Sequence, residues 1–132
     1  MNSIKARIVR VEREGNLHVV GFEAEGISLW MMGLELPKVG IGDIVRLGFK
    51  STSSIIAQDE FEKIGLSNRI DATVAQIVKG KLLYSVLCQT AVGVIESIMT
   101  RRAYERMDLK EGSKVRVYVK ASEIAIKEVL GD

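Results

Sequence analysis

The chain has 132 residues, 47% of them apolar, and a net charge of +2. That much apolar content supports a packed interior and excludes disorder, and so small a net charge excludes a bulk polyanion binder. A single cysteine, Cys88, excludes an internal disulfide and fits a reducing compartment. The charge is uneven. Residues 1–60 carry 7 Lys+Arg against 8 Asp+Glu, and residues 61–132 carry 12 against 9. No charged-then-apolar leader is visible, and no apolar run approaches the ~18 residues needed to span a bilayer. The expectation is a cytoplasmic protein without a membrane segment.

Ile4, Ala6 and Ile8 alternate with Lys5 and Arg7, the period of a strand with one buried face. A turn at Glu14-Gly15-Asn16 separates it from a second strand, Leu17 to Phe22, and a third follows from Ile27 to Met32. Pro37, Gly40 and Gly42 exclude a long helix before a fourth strand, Ile44 to Lys50, and a fifth, Ser54 to Ala57. Five short strands punctuated by glycine predict a small closed barrel. Gln58 to Ser67 is a connector, in which Asp59 to Ile64 has the charge density of a helical turn.

The chain then restarts. Asn68-Arg69-Ile70-Asp71-Ala72-Thr73-Val74 matches Asn2-Ser3-Ile4-Lys5-Ala6-Arg7-Ile8 at an offset of 66. Strands are predicted from Leu82 to Cys88 and from Val92 to Met99. Thr100 has the form of a helix N-cap, ahead of Ala103, Tyr104 and Met107 at helical spacing. Gly112 to Ile126 then repeats Gly42 to Ile56 at an offset of 70, with Lys120 falling on Lys50 and Ser122 on Thr52. The sequence is therefore a tandem repeat: residues 1–59, a linker at 60–65, and residues 66–132. A unit of about 60 residues buries only about 60% of its unfolded surface, so the two are expected to share a core and to oligomerise.

Each repeat ends in Gly-x-x-Val-Arg-φ-x-φ-Lys followed by a small residue and a hydroxyl. This places a lysine, a hydroxyl and backbone amides together at a strand end, an inventory suited to a small oxyanion. Taken with the Asn-x-φ-x-small-x-Val/Ile start of each repeat, the pattern resembles the TOBE domain, and within it the molybdate-binding Mop branch in its tandem form. Ile98-Met99-Thr100-Arg101 ahead of Leu109-Lys110-Glu111-Gly112 fits the same branch. The resemblance implies an all-β fold: two tandem OB-like five-stranded β-barrels with one short helix and strands exchanged between units. It also implies a homo-oligomer holding molybdate or tungstate where barrels meet.

By the same resemblance the oxyanion-binding residues are Lys120, Ala121 and Ser122 in the second repeat, Lys50, Ser51 and Thr52 in the first, and Thr100. The family's Ser-x-Arg segment falls in register on Gly65-Leu66-Ser67, which has no arginine. Ser67 and Arg69, which flank Asn68, are the residues nearest to that role, and binding groups pooled across units or subunits are expected.

Other chemistries find little in the sequence. His18, the only histidine, has no partner at metal-ligand spacing, and there is no phosphate loop, carboxylate pair or nucleophile elbow. Neither a catalytic nor a metal site is expected, and the protein is read as a binder rather than an enzyme. Nucleic-acid binding by an OB-like barrel needs aromatic stacking platforms, and only 5% of residues are aromatic. The alternative to storage of the oxyanion is a sensing module acting in trans on a regulator or transporter. Cys88 lies in an apolar run and is read as a buried thiol. Arg101 and Arg102 are read as an exposed helix face, and Trp30, Met31 and Met32 as core or subunit interface.

Overall fold

The computed structural model describes residues 1–58 and 63–131. The helical turn considered at Asp59 to Ile64 therefore falls largely outside the described residues. The first repeat supplies strands β1 (Asn2–Glu14), β2 (Leu17–Ala24), β3 (Ile27–Gly33), β4 (Ile44–Phe49) and β5 (Ile55–Ala57). The second supplies β6 (Asn68–Lys79), β7 (Leu83–Thr90), β8 (Gly93–Thr100), helix α1 (Arg101–Glu105), β9 (Lys114–Val119) and β10 (Ala125–Gly131). A 3₁₀ turn precedes the last strand of each repeat, Ser51–Ser53 in the first and Ala121–Glu123 in the second.

These strands make two antiparallel five-stranded sheets, ordered β10-β4-β1-β2-β3 and β5-β9-β6-β7-β8. Each repeat gives its last strand to the other. β5 pairs with β9, Ile56 opposite Val117, and β10 pairs with β4, Ile126 opposite Leu47. Each sheet rolls until the 3₁₀ turn beside one edge strand reaches the strand at the opposite edge: Ser51–Ser53 packs on β8, and Ala121–Glu123 on β3. Two OB-like barrels result, each completed by the other repeat.

The alternation read in the sequence sets the inward faces. Ile4, Ala6 and Ile8 on β1 are buried, as are Ile70, Ala72 and Val74 on β6. The register of β1 with β2 slips between Ile8 and Arg10, and that of β6 with β7 between Val74 and Gln76. A bulge of this kind sharpens the local twist and turns the strand away from one neighbour. Just ahead of it, the amide of Gly42 donates to the Ile8 carbonyl and that of Gly112 to the Val74 carbonyl, both at 2.8 Å. Both glycines have positive φ, +97° and +89°, where a side chain would be strained.

Phe22, Leu29, Leu47 and Phe49 fill the first barrel, and Ile70, Val86, Ile95 and Val117 the second. Their buried side chains form one continuous cluster that also takes in Ile56 and Ile124 beside the exchanged strands. Cys88 lies in it fully buried, and burial pushes its thiol up to about 11, as expected for a structural rather than a reactive cysteine.

The repeats differ where the offset drifts from 66 to 70. That interval holds α1, capped by Thr100 Oγ1 accepting from the Ala103 amide at 3.1 Å, whereas the first repeat has the loop Leu34 to Asp43. Arg101 and Arg102 on this helix are exposed. Met31 is buried, Trp30 half-buried and Met32 exposed, so only part of that run joins the core. Among the described residues, no helix is long and apolar enough to cross a membrane.

Candidate functional site

Two asparagines fix the junction between the repeats. Asn2 sits at the start of β1, where its amide nitrogen donates to the Glu96 carbonyl on β8 at 2.8 Å and to Ser54 Oγ at 3.1 Å. Its carbonyl oxygen accepts from the Glu96 amide at 2.8 Å. Asn68, at the start of β6, repeats this on β3: it accepts from the Trp30 amide at 2.6 Å and donates to the Trp30 carbonyl at 2.9 Å. A third bond runs from Asn68 to the Val119 carbonyl at 3.0 Å. Both clamps join residues related by the same offset of 66, so the repeats are held by a local twofold pseudosymmetry. Neither asparagine is more than 5% exposed. A primary amide suits the task because it both donates and accepts, and so satisfies a strand peptide that has no other partner there.

The clamps bring both oxyanion motifs to this junction. Lys50 and Lys120 are exposed and hold extended backbone, φ −68° and −65°, immediately before their 3₁₀ turns. The turns adjoin one another, with Ser53 Oγ donating to the Glu123 carboxylate at 3.3 Å. In the second turn the internal bonds run from the amides of Glu123 and Ile124 to the carbonyls of Lys120 and Ala121. The amides of Ala121 and Ser122 take no part in these bonds and lie beside the exposed Ser122 hydroxyl. Asn68 pairs with Val119, so Ser67 is next in register beside Lys120. Arg69, two residues on, is exposed, with its guanidinium 3.8 Å from the Asp71 carboxylate. Ser67, Lys120, Ala121 and Ser122 are thus brought together. Thr100 lies elsewhere, in a cleft of about 490 Å³ lined by Leu82, Leu83, Arg101, Arg102 and Glu105.

The first motif has different surroundings. Ser51 is buried and donates its hydroxyl to the Glu96 carboxylate at 2.8 Å, and Ser85 donates to the other carboxylate oxygen at 2.5 Å. These two hydroxyls, Ser85 foremost, hold the Glu96 carboxyl below its ordinary range. Behind them Ser97 Oγ donates to the Ser54 carbonyl at 2.8 Å. The counterparts of Ser51, Ser54, Ser85, Glu96 and Ser97 at the other half-junction are Ala121, Ile124, Val19, Trp30 and Met31. Each of these five polar side chains has an apolar counterpart. Thr52 is exposed, as Ser122 is. Sequence reasoning singled out Ser51 and Thr52 but missed Glu96 and Ser85. Setting the repeats in register was the available signal, since it places a carboxylate where the sister repeat has an indole.

Comparison with known proteins agrees with this architecture. Residues 66–126 match the TOBE domain family. The matched stretch is the second repeat. Among solved structures, the chain superposes with a TM-score of 0.88 and 21% identity on one described as the cytoplasmic molybdate-binding protein ModG, with molybdate bound. The match covers 94% of this chain and 93% of that one, so the tandem TOBE-like arrangement extends over both repeats. A comparison with curated proteins gave no match. The Lys120-Ala121-Ser122 segment lies within the matched range, at the junction with the first repeat.

Proposed function

We propose that this protein binds molybdate or tungstate at the junctions between its barrels and serves as an intracellular store of the oxyanion. The observation that carries the reading is the placement of Lys120, the amides of Ala121 and Ser122, the Ser122 hydroxyl and Ser67 at one edge of the inter-repeat junction. The fold match to a protein described as a cytoplasmic molybdate binder supports it. The buried free thiol of Cys88 fits a reducing compartment.

A tetrahedral dianion gives up strong hydration and needs several donors in return. Charge-assisted hydrogen bonds contribute roughly 1.5–3 kcal/mol each, and a micromolar site needs about 8 kcal/mol net. One lysine is insufficient, whereas a lysine with three or four amide and hydroxyl donors reaches the range. Thr100 and Arg69 stand apart from the motif within one chain, so in this reading they act on an anion held with a second copy, in a homo-oligomer. Discrimination between molybdate and sulfate then rests on pocket size, because lysine and neutral donors treat both alike.

Calorimetric titration with molybdate, tungstate and sulfate tests the proposal. Lys120→Ala should weaken oxyanion binding about tenfold or more, the loss of one charge-assisted contact, with an unchanged thermal unfolding midpoint. Unchanged affinity would remove Lys120 from the site. Native mass spectrometry with and without oxyanion gives the number of chains and of ligands in the assembly.

A further inference from the structure

The two half-junctions share a backbone and differ in charge, and the difference falls on the oxyanion motif of the first repeat. From the geometry we infer that the Glu96 carboxylate is a built-in anion that takes the Ser51 hydroxyl of the Lys50-Ser51-Thr52 motif, sets a fixed negative charge beside it and closes it to external oxyanions. The second motif is left as the one that binds. This inference rests on the oxyanion reading and states which of the two motifs is open.

Three observations carry it. The Asn2 and Asn68 clamps hold the peptides of Glu96 and Trp30 in equivalent positions, so one half has a glutamate at the position where the other has a tryptophan. The Trp30 ring folds away over its own sheet: a Cβ on Gly21, its cross-strand partner, would lie 2.8 Å from the ring. Glu96 instead has Leu87 opposite it, and its two carboxylate oxygens each accept a hydroxyl proton, one from Ser51 and one from Ser85.

A serine hydroxyl has one proton to give. Donated to Glu96, it is lost to any incoming anion. Hydrogen bonding from both hydroxyls also keeps Glu96 ionised at neutral pH. A fixed negative charge about 6 Å from a dianion weakens its binding about tenfold even at the dielectric constant of water. Beside Lys120 the positions of Ser51, Ser85 and Glu96 are held by Ala121, Val19 and Trp30, and the Glu123 carboxylate that ends the second turn accepts from Ser53 of the first.

The test counts molybdate bound by equilibrium dialysis in four proteins: the natural chain, Lys120→Ala, Lys120→Ala/Glu96→Gln, and that double variant with Lys50→Ala added. The expected result is binding by the natural chain, loss in Lys120→Ala, recovery by about tenfold or more in the double variant, and loss again when Lys50 is replaced. Glu96→Ala in place of Glu96→Gln repeats the measurement without a side-chain amide, and unfolding midpoints confirm that each protein is folded. A double variant that stays as weak as Lys120→Ala overturns the inference. So does a Lys120→Ala protein that still binds through Lys50. If the natural chain and every variant fail to bind, the oxyanion reading itself falls, and this inference with it.

Discussion

At the first half-junction, β8 presents Glu96 and Ser97 to Ser51, Ser54 and Ser85, and the hydroxyls are spent on internal acceptors. At the second, β3 presents Trp30 and Met31 to Ala121, Ile124 and Val19, with no polar side chain among the five. The backbone is nonetheless the same in both: an asparagine clamp, a bulge, a glycine turn and a 3₁₀ turn after a lysine. A duplicated fold can keep its scaffold through a few peptide-binding residues while the side chains between them diverge in charge. One half becomes an internally satisfied polar joint, and the other an apolar one.

The clamps are the sharpest place to break that comparison. Asn68→Ala removes three hydrogen bonds to backbone at a fully buried position. It should cost about 3–4 kcal/mol, because buried peptide groups are left without partners. Asn2→Ala should cost less, about 2–3 kcal/mol, since Ser54 Oγ is one of its partners and a hydroxyl can rotate to another. Urea unfolding of both variants measures the difference; equal losses would show that the backbone partners of Asn68 reorganise as readily as a hydroxyl does.

Acid acts on the half-junction that holds Glu96. The Glu96 carboxyl is held below its unfolded value, so its contribution is fully present above the ordinary carboxylate range. It disappears as the pH falls through the lowered folded value. Stability measured from pH 7 down to acid should therefore drop more in the natural chain than in Glu96→Gln, and parallel curves would remove Glu96 as the cause.

The smallest effect belongs to the exchanged strands. Gly48 on β4 lies under the stem of Lys127, where an added Cβ would come within 2.7 Å of Cγ. The equivalent residue on β9 is Tyr118, 1% exposed, with a hydroxyl that has no hydrogen-bond partner among the described residues. Tyr118→Phe should leave stability unchanged or raise it by up to about 1 kcal/mol, the desolvation cost of an unpaired buried hydroxyl. Thermal unfolding checks it, and a loss of stability would mean the hydroxyl is bonded in solution.

Much of this architecture is legible in the residues. Ile4, Ala6 and Ile8 declare an inward face, Thr100 declares a cap, and the offset of 66 declares the duplication. The destination of β5 and β10 follows from none of these, because Ile124 and Ile126 alternate identically whichever β4 or β9 edge they meet; the resemblance alone implied exchange. Asn2 and Asn68 stood out as markers of each repeat's start, but a buried amide that holds a strand looks in sequence like any turn asparagine. Glu96 escaped notice because a glutamate in a strand reads as solvent-facing until the opposing serines are in place.

The traded strands have a consequence for synthesis. During synthesis β1 to β4 emerge with one side of β4 unpaired, and that gap is filled only by Ala125–Gly131, some 75 residues later. Until then the nascent barrel offers a ready-made docking rail to any passing extended segment, so the seven residues of β10 act as its stopper as well as its edge strand.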